Sequence, residues 1–292
     1  MAFNSKFPAC ARGDGGASKI PGLRPGRRRG KQNSKWPFLL FPLLLLAACA
    51  PRPTAVPPPP PTALPAVPAG KLVERVEKSG RDIQTLRGLA HARITTADKT
   101  VNVTQVLLAA APDRLRTETL SPFGSPLMIL ATDGTDLSVF LPGEGRFLSG
   151  PASADNLRRF TRLPLRAADL VGLLLYRPPL FPWQQARAET VDASGYRLVL
   201  DGPGERRQAF TFDAARRPTG AAYYDGDRLL LRVRYADLTE TPVVFPARAE
   251  LDMPEYHIQA SLEFDADLAL NDKLDDARFR LQPPKGVEVE GL

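Results

Sequence analysis

Few side chains in this sequence are placed to do covalent or metal chemistry. The two histidines, His91 and His257, are far apart, lie in strand-like segments and have no second ligand at a recognised metal spacing, so both read as structural. Asp225-Gly226-Asp227 has the look of a calcium-loop fragment. It lacks the later glutamate and sits between Ala-Ala-Tyr-Tyr and Arg-Leu-Leu-Leu-Arg-Val-Arg-Tyr, the setting of a hairpin turn. The acids from Asp272 to Asp276 read as a solvated connection, although two acids distant in sequence could still meet in space, as a glycosidase requires. There is no Gly-x-Ser-x-Gly elbow and no phosphate-binding loop, so neither an enzymatic activity nor a cofactor is expected. What remains is cysteine: Cys10 and Cys49.

Cys49 ends the stretch Leu46-Ala47-Ala48-Cys49, behind the basic RRRGKQNSK and an apolar run of about thirteen residues, too short to span a bilayer comfortably. These four residues resemble a bacterial lipobox, in which the chain is cut before the cysteine and the new N-terminal cysteine carries acyl chains. An ordinary signal peptide followed by a chance cysteine is the alternative, as is a twin-arginine signal lacking its usual apolar residues. The long basic region also leaves room for a start codon downstream of Met1. Ala50 follows where aspartate would favour inner-membrane retention in many enteric bacteria, which points to the periplasmic face of the outer membrane. Cys10 leaves with the leader, so the mature chain has no disulfide.

The leader also explains the charge. Residues before Cys49 hold nine of the 39 basic groups and one of the 32 acidic groups, leaving 30 against 31. No broad basic surface remains for a run of phosphates, and a nucleic-acid partner is not expected. From Pro51 to Pro68, nine of eighteen residues are proline. Such a segment favours an extended polyproline conformation and cannot pack a core. It reads as a tether reaching about 55 Å, with a ligand for proline-recognising modules as the alternative. The parts are therefore a signal peptide, 1–48; a lipidated Cys49 with a proline-rich tether, 49–70; and a folded domain, 71–292.

That domain opens with Leu72, Val76, Ile83 and Leu86 at helical spacing. Beyond Gly88 the period changes to short runs of Val, Leu, Thr, Tyr and Phe separated by turn pairs, which predicts an antiparallel meander of about eleven strands, thirteen at most. Midway, residues 152–179 read as two helices broken at Pro164. The first has a sparse stripe, Leu157 and Phe160. The second is apolar nearly all round through Leu170, Val171, Leu173, Leu174 and Leu175, and needs burial on several sides.

The turn Ser121-Pro122-Phe123-Gly124-Ser125 and the run Phe160, Leu163, Pro164, Leu165, Leu170 and Leu173, ending at Arg177-Pro178-Pro179, resemble motifs of the LolA/LolB lipoprotein-localisation superfamily. The turn and the midway helices look most like its outer-membrane receptor branch, LolB. The ending ARFRLQPPKGVEVEGL looks more like the soluble periplasmic carrier, and the proline tether is an addition. The resemblance implies an incomplete, half-open barrel whose apolar interior, under a helical lid or plug, holds acyl chains. It places Leu163, Leu165, Leu170, Leu173 and Leu174 at the cavity and lid, and Phe123, flanked by Pro122 and Gly124, in a membrane-inserting loop. Implied partners are acylated lipoproteins or other lipids, the outer membrane through Cys49, and a soluble periplasmic carrier as donor. Three functions fit: an acceptor that inserts lipoproteins into the outer membrane, a related carrier of another apolar ligand, or a structural lipoprotein binding a protein through the Phe123 turn.

Overall fold

The computed structural model of the protein describes residues 64–240 and 243–292; the lipobox with Cys49 lies outside them. Apolar spacing produces the first helix, α1 (Ala69–Asp82), which buries Leu72, Val73 and Val76. The stripe expected to run on through Ile83 and Leu86 crosses into strand instead. Ile83 caps the helix in an extended conformation, and Leu86 already belongs to β1 (Thr85–Thr95); both are fully buried. A three-residue spacing fits a helical turn, yet here a helix end followed by a strand start meets it. The change of period thus falls at Thr85, ahead of Gly88. Leu64, Val67 and Ala69, in the segment read as tether, pack against the core.

Two antiparallel meanders follow. The first comprises β1, β2 (Thr100–Ala110), β3 (Arg114–Leu120), β4 (Pro126–Thr132), β5 (Asp136–Leu141) and β6 (Arg146–Pro151). The chain then runs through α2 (Ala154–Thr161) and α3 (Ala167–Leu174), split around Pro164 as the sequence predicts. The second meander comprises β7 (Gln185–Val191), β8 (Gly195–Asp201), β9 (Arg206–Asp213), β10 (Pro218–Asp225), β11 (Arg228–Thr239), β12 (Phe245–Met253) and β13 (Ile258–Phe264). Antiparallel pairing of β1 with β13 fuses both into one open sheet running from β6 at one side to β7 at the other. The helices therefore carry the chain from one edge to the opposite edge.

Two short strands bring the count among the described residues to fifteen: β14 (Ala269–Leu270) pairs with β1, and β15 (Val289–Gly291) lies parallel to β6. The thirteen longer strands match the upper end of the expected eleven to thirteen, and the two short ones carry no readable period. β7 is also exposed along most of its length and shows no apolar alternation.

Three helical packings fill the concave side unevenly. α1 lies against β7, β8 and β10, while α3 lies against β2 and β3. Leu157 of α2 packs with Leu130, Leu137, Val139 and Leu148 of β4 to β6. The inner faces of β1, β2, β12 and β13 are left partly uncovered.

Candidate functional site

Alternation along each strand decides what faces the uncovered space. Val103 of β2 stands opposite Ala92 of β1, which stands opposite Leu262 of β13 and then Ala249 of β12. The next inward row is Val101, Ile94, Ala260 and Leu251. With Leu107, Leu115, Met128 and Leu130 they line a cavity of about 340 Å³. That volume lies at the lower end of the roughly 300–1,000 Å³ found for small-molecule sites. Polar side chains interrupt the apolar wall at Gln105, Thr117, Thr119, Thr161 and Ser261, and the Gln105 amide donates to Thr119 Oγ1 at 3.0 Å.

The helices supply the opposite wall. Leu163, Leu170, Leu173 and Leu174 line the cavity, together with Phe160. Leu165 is buried in the adjoining core and is not among the lining residues. Leu170 and Leu173 are themselves buried, and Leu174 is half-buried. Of the five leucines that the resemblance places at the cavity and lid, four thus line this cavity, and the strand wall was not among the expected residues. Leu107 at one end of β2 and the two-residue period back through Gln105, Val103 and Val101 were the signal for it.

Antiparallel alternation places the β1–β2, β3–β4 and β12–β13 turns at one end of the sheet. The β3–β4 turn carries Phe123, which is 95% exposed, with Pro122 and Gly124 exposed beside it. Its shape is set by Ser121. The Phe123 and Ser125 N–H groups donate to Ser121 Oγ at 3.3 and 3.1 Å, and the Gly124 N–H donates to the Ser121 carbonyl at 2.9 Å. Gly124 adopts φ +81°, a conformation glycine takes without penalty. Lys99 closes the neighbouring β1–β2 turn. It continues the inward parity of Val101 and Val103 and, with Arg162 after α2, forms the charged part of the lining; both side chains are exposed.

The remaining chemistry-bearing residues stay apart from this cavity. His91 contacts Thr104 Oγ1 at 3.1 Å and Asp265 at 3.3 Å on the outer face, and His257 caps a short turn after β12 with φ +51°. Asp225 and Asp227 flank the β10–β11 hairpin turn. Among the described residues, no three His, Cys, Asp or Glu side chains could share a metal ion, and no helix is long and apolar enough to cross a membrane.

No protein-family model matches the chain, and no curated protein matches it. Solved structures do. A LolA superfamily protein from Nitrosomonas europaea superposes with a TM-score of 0.50 at 19% identity, over 74% of this chain and 99% of that one. A putative outer membrane lipoprotein-sorting protein domain from Vibrio parahaemolyticus gives 0.47 at 14% identity, over 72% and 94%. A DUF1329 family protein from Desulfovibrio piger gives 0.48 at 16% identity, over 74% and 98%. At such identities the likeness is one of fold: an open, mostly antiparallel barrel with helical elements, as in the LolA superfamily structure.

Proposed function

We propose that the protein is a lipid-anchored acceptor on the periplasmic face of the outer membrane, which takes acyl chains into the cavity beneath α3 and passes the acylated cargo to the bilayer. The carrying observation is the lining: apolar side chains from adjacent strands face Leu163, Leu170, Leu173 and Leu174 across about 340 Å³. Each buried methylene gains about 0.8 kcal/mol, so such a wall holds a chain without covalent chemistry, and a bilayer is an equally apolar sink for release. In the finer form of the proposal the cargo is a lipoprotein delivered by a soluble periplasmic carrier. Acylated Cys49 is the anchor, the leader ends at Ala48, and residues up to 70 are the spacer. Phe123 touches the membrane, and Leu170, Leu173 and Leu174 form the lid against which the chain lies.

Titrating the purified full-length protein with a fluorescent fatty acid, in competition with an acylated peptide, tests the core of this. Saturable binding and displacement are expected. Leu173→Glu should weaken binding about tenfold or more, because a carboxylate facing the apolar wall is costly to desolvate. If the unmodified protein takes up no acyl probe, the proposal is wrong. Cys49→Ala should abolish lipid labelling in the native host. The second reading, a carrier of a lipid other than a lipoprotein, is favoured by Lys99 and Arg162, the two cations in the lining.

A further inference from the structure

We infer that the acyl ligand of this cavity is headed by an anion, a carboxylate or a phosphate, and that Lys99 and Arg162 recognise it. The inference rests on the acyl-carrier reading and narrows its cargo. Lys99 and Arg162 are the charged residues of the lining, which contains no Asp or Glu. Neither has a carboxylate within 4.0 Å among the described residues; on the outer face Arg93 has none either, while the nearest to Arg232, Arg234 and Arg248 lie at 3.9, 3.8 and 3.1 Å. The two at the cavity, with no acid beside them in the lining, are left for something that enters it.

Both are held by their backbones. The Thr96 N–H donates to the Lys99 carbonyl at 2.9 Å and the Lys99 N–H to Thr96 Oγ1 at 3.4 Å, fixing the tip of the β1–β2 hairpin. Strand parity then sends Lys99 toward the side of Val101 and Val103. Arg162 caps α2 in the left-handed conformation, φ +67°, with its N–H donating to the Arg158 carbonyl at 3.0 Å. Glycine or asparagine is usual there, so the arginine is not explained by the needs of the cap. One cation from the first meander and one from the helical crossover thus meet on one apolar cavity. An acyl chain lying against the wall would leave its head beside them, where an arginine fork and an ammonium suit a carboxylate or phosphate oxygen.

Displacement of a bound fluorescent fatty acid from the full-length protein is the test, using two matched pairs of competitors: palmitate against hexadecanol, and phosphatidylglycerol against diacylglycerol. In at least one pair the anion should compete about tenfold better, the order expected of a charge-assisted hydrogen bond at a partly exposed site. The pair that shows it identifies the head as fatty-acid carboxylate or lipid phosphate. Lys99→Ala combined with Arg162→Gly should erase the preference, so that each anion competes no better than its neutral partner, and glycine suits the φ of the cap. The preference in the unmodified protein should also shrink as salt is raised about tenfold from 0.05 M, which needs no variant to fold. Equal competition within both pairs, or a preference that survives the double variant, overturns the inference while the acyl-carrier reading stands. Loss of binding to anionic vesicles with ligand preference intact would assign the two cations to membrane contact and overturn it too. If no competitor displaces the probe, the acyl-carrier reading fails with it.

Discussion

At the scale of single residues, Phe123 poses the clearest question, since a side chain 95% exposed contributes almost nothing to the core. An exposed aromatic on a turn held by Ser121 is pre-positioned, so moving it into a bilayer requires little further ordering of the chain. Burying the ring there is worth about 2–3 kcal/mol. Phe123→Glu should therefore fold normally, bind an acyl probe with unchanged affinity and transfer it to liposomes more slowly. Ser121→Ala probes the same point from the backbone: losing the hydroxyl that accepts two N–H groups should loosen the turn, cost up to about 1 kcal/mol of stability, and slow transfer less than Phe123→Glu does. Unaltered transfer by Phe123→Glu in a stopped-flow vesicle assay would leave the ring without a membrane role, and loss of a protein partner with transfer intact would make it a protein contact.

Among the elements, α3 is the one whose two ends are held differently. Its C-terminus closes in a Schellman arrangement: the Arg177 N–H donates to the Gly172 carbonyl at 2.7 Å and the Tyr176 N–H to Leu173 at 3.3 Å. The left-handed position that glycine usually fills is taken by Tyr176, φ +58°. The tyrosine is fully buried, donates its hydroxyl to the Pro218 carbonyl and meets the Tyr235 ring edge-on at 4.9 Å. Burial pushes its phenol well above the ordinary range, with the Asp213 charge acting in the same direction. The Arg177 guanidinium donates to the Ile83 carbonyl at 3.0 Å, tying the same end to the junction of α1 and β1. The N-terminus of α3 has the Arg166–Asp169 pair, with the arginine exposed, the small buried Ala167 and the Pro164 connection to α2. Hydrogen exchange should accordingly be faster in α2 and the first turn of α3 than at Leu173 to Arg177. Tyr176→Phe should lower the urea midpoint by an amount worth about 1 kcal/mol at unchanged slope. The split at Pro164 and the all-round apolar character of α3 were legible in sequence because both are local. The pinning was not, since it depends on Pro218, Tyr235 and Ile83, which no spacing rule connects to residue 176.

For the whole molecule the same division holds: turn pairs marked the two meanders, but the β1–β13 pairing that fuses them joins residues over 160 positions apart and leaves no local trace. The part of the strand wall contributed by β12 and β13 meets the rest only through that pairing, which is why Ala249, Leu251, Ala260 and Leu262 were not readable in sequence while the leucines around α3 were. The acids Asp272, Asp275 and Asp276 are exposed, as a solvated connection requires, and the chain beyond them works as a strap on the first meander. Phe279 is buried on the outer face against Leu108 and Ala110, and β15 pairs with β6. Arg280 meets Asp133 at 2.8 Å, and Glu290 meets Arg146 at 2.7 Å. The strap makes acid sensitivity predictable. Hydrogen bonds from the Asp136 N–H, the Arg280 guanidinium and the Thr135 N–H hold the Asp133 carboxyl at about 2, below its ordinary 3.8, against the opposing effect of burial. A depressed carboxyl contributes stability above the ordinary value and loses it as the pH falls through the folded one, so the contribution should be complete above about pH 4 and fade toward pH 2. Asp133→Asn isolates the charge, because an amide oxygen can still accept both backbone N–H groups while the ion pair with Arg280 is gone. Urea midpoints of the two proteins should differ at pH 7 and converge near pH 2, with pepsin cleavage at pH 2 falling first within residues 271–292 of the unmodified chain. A difference that stays constant down to pH 2 would mean that Asp133 holds the strap by shape alone, and its charge would then have no part in the fold.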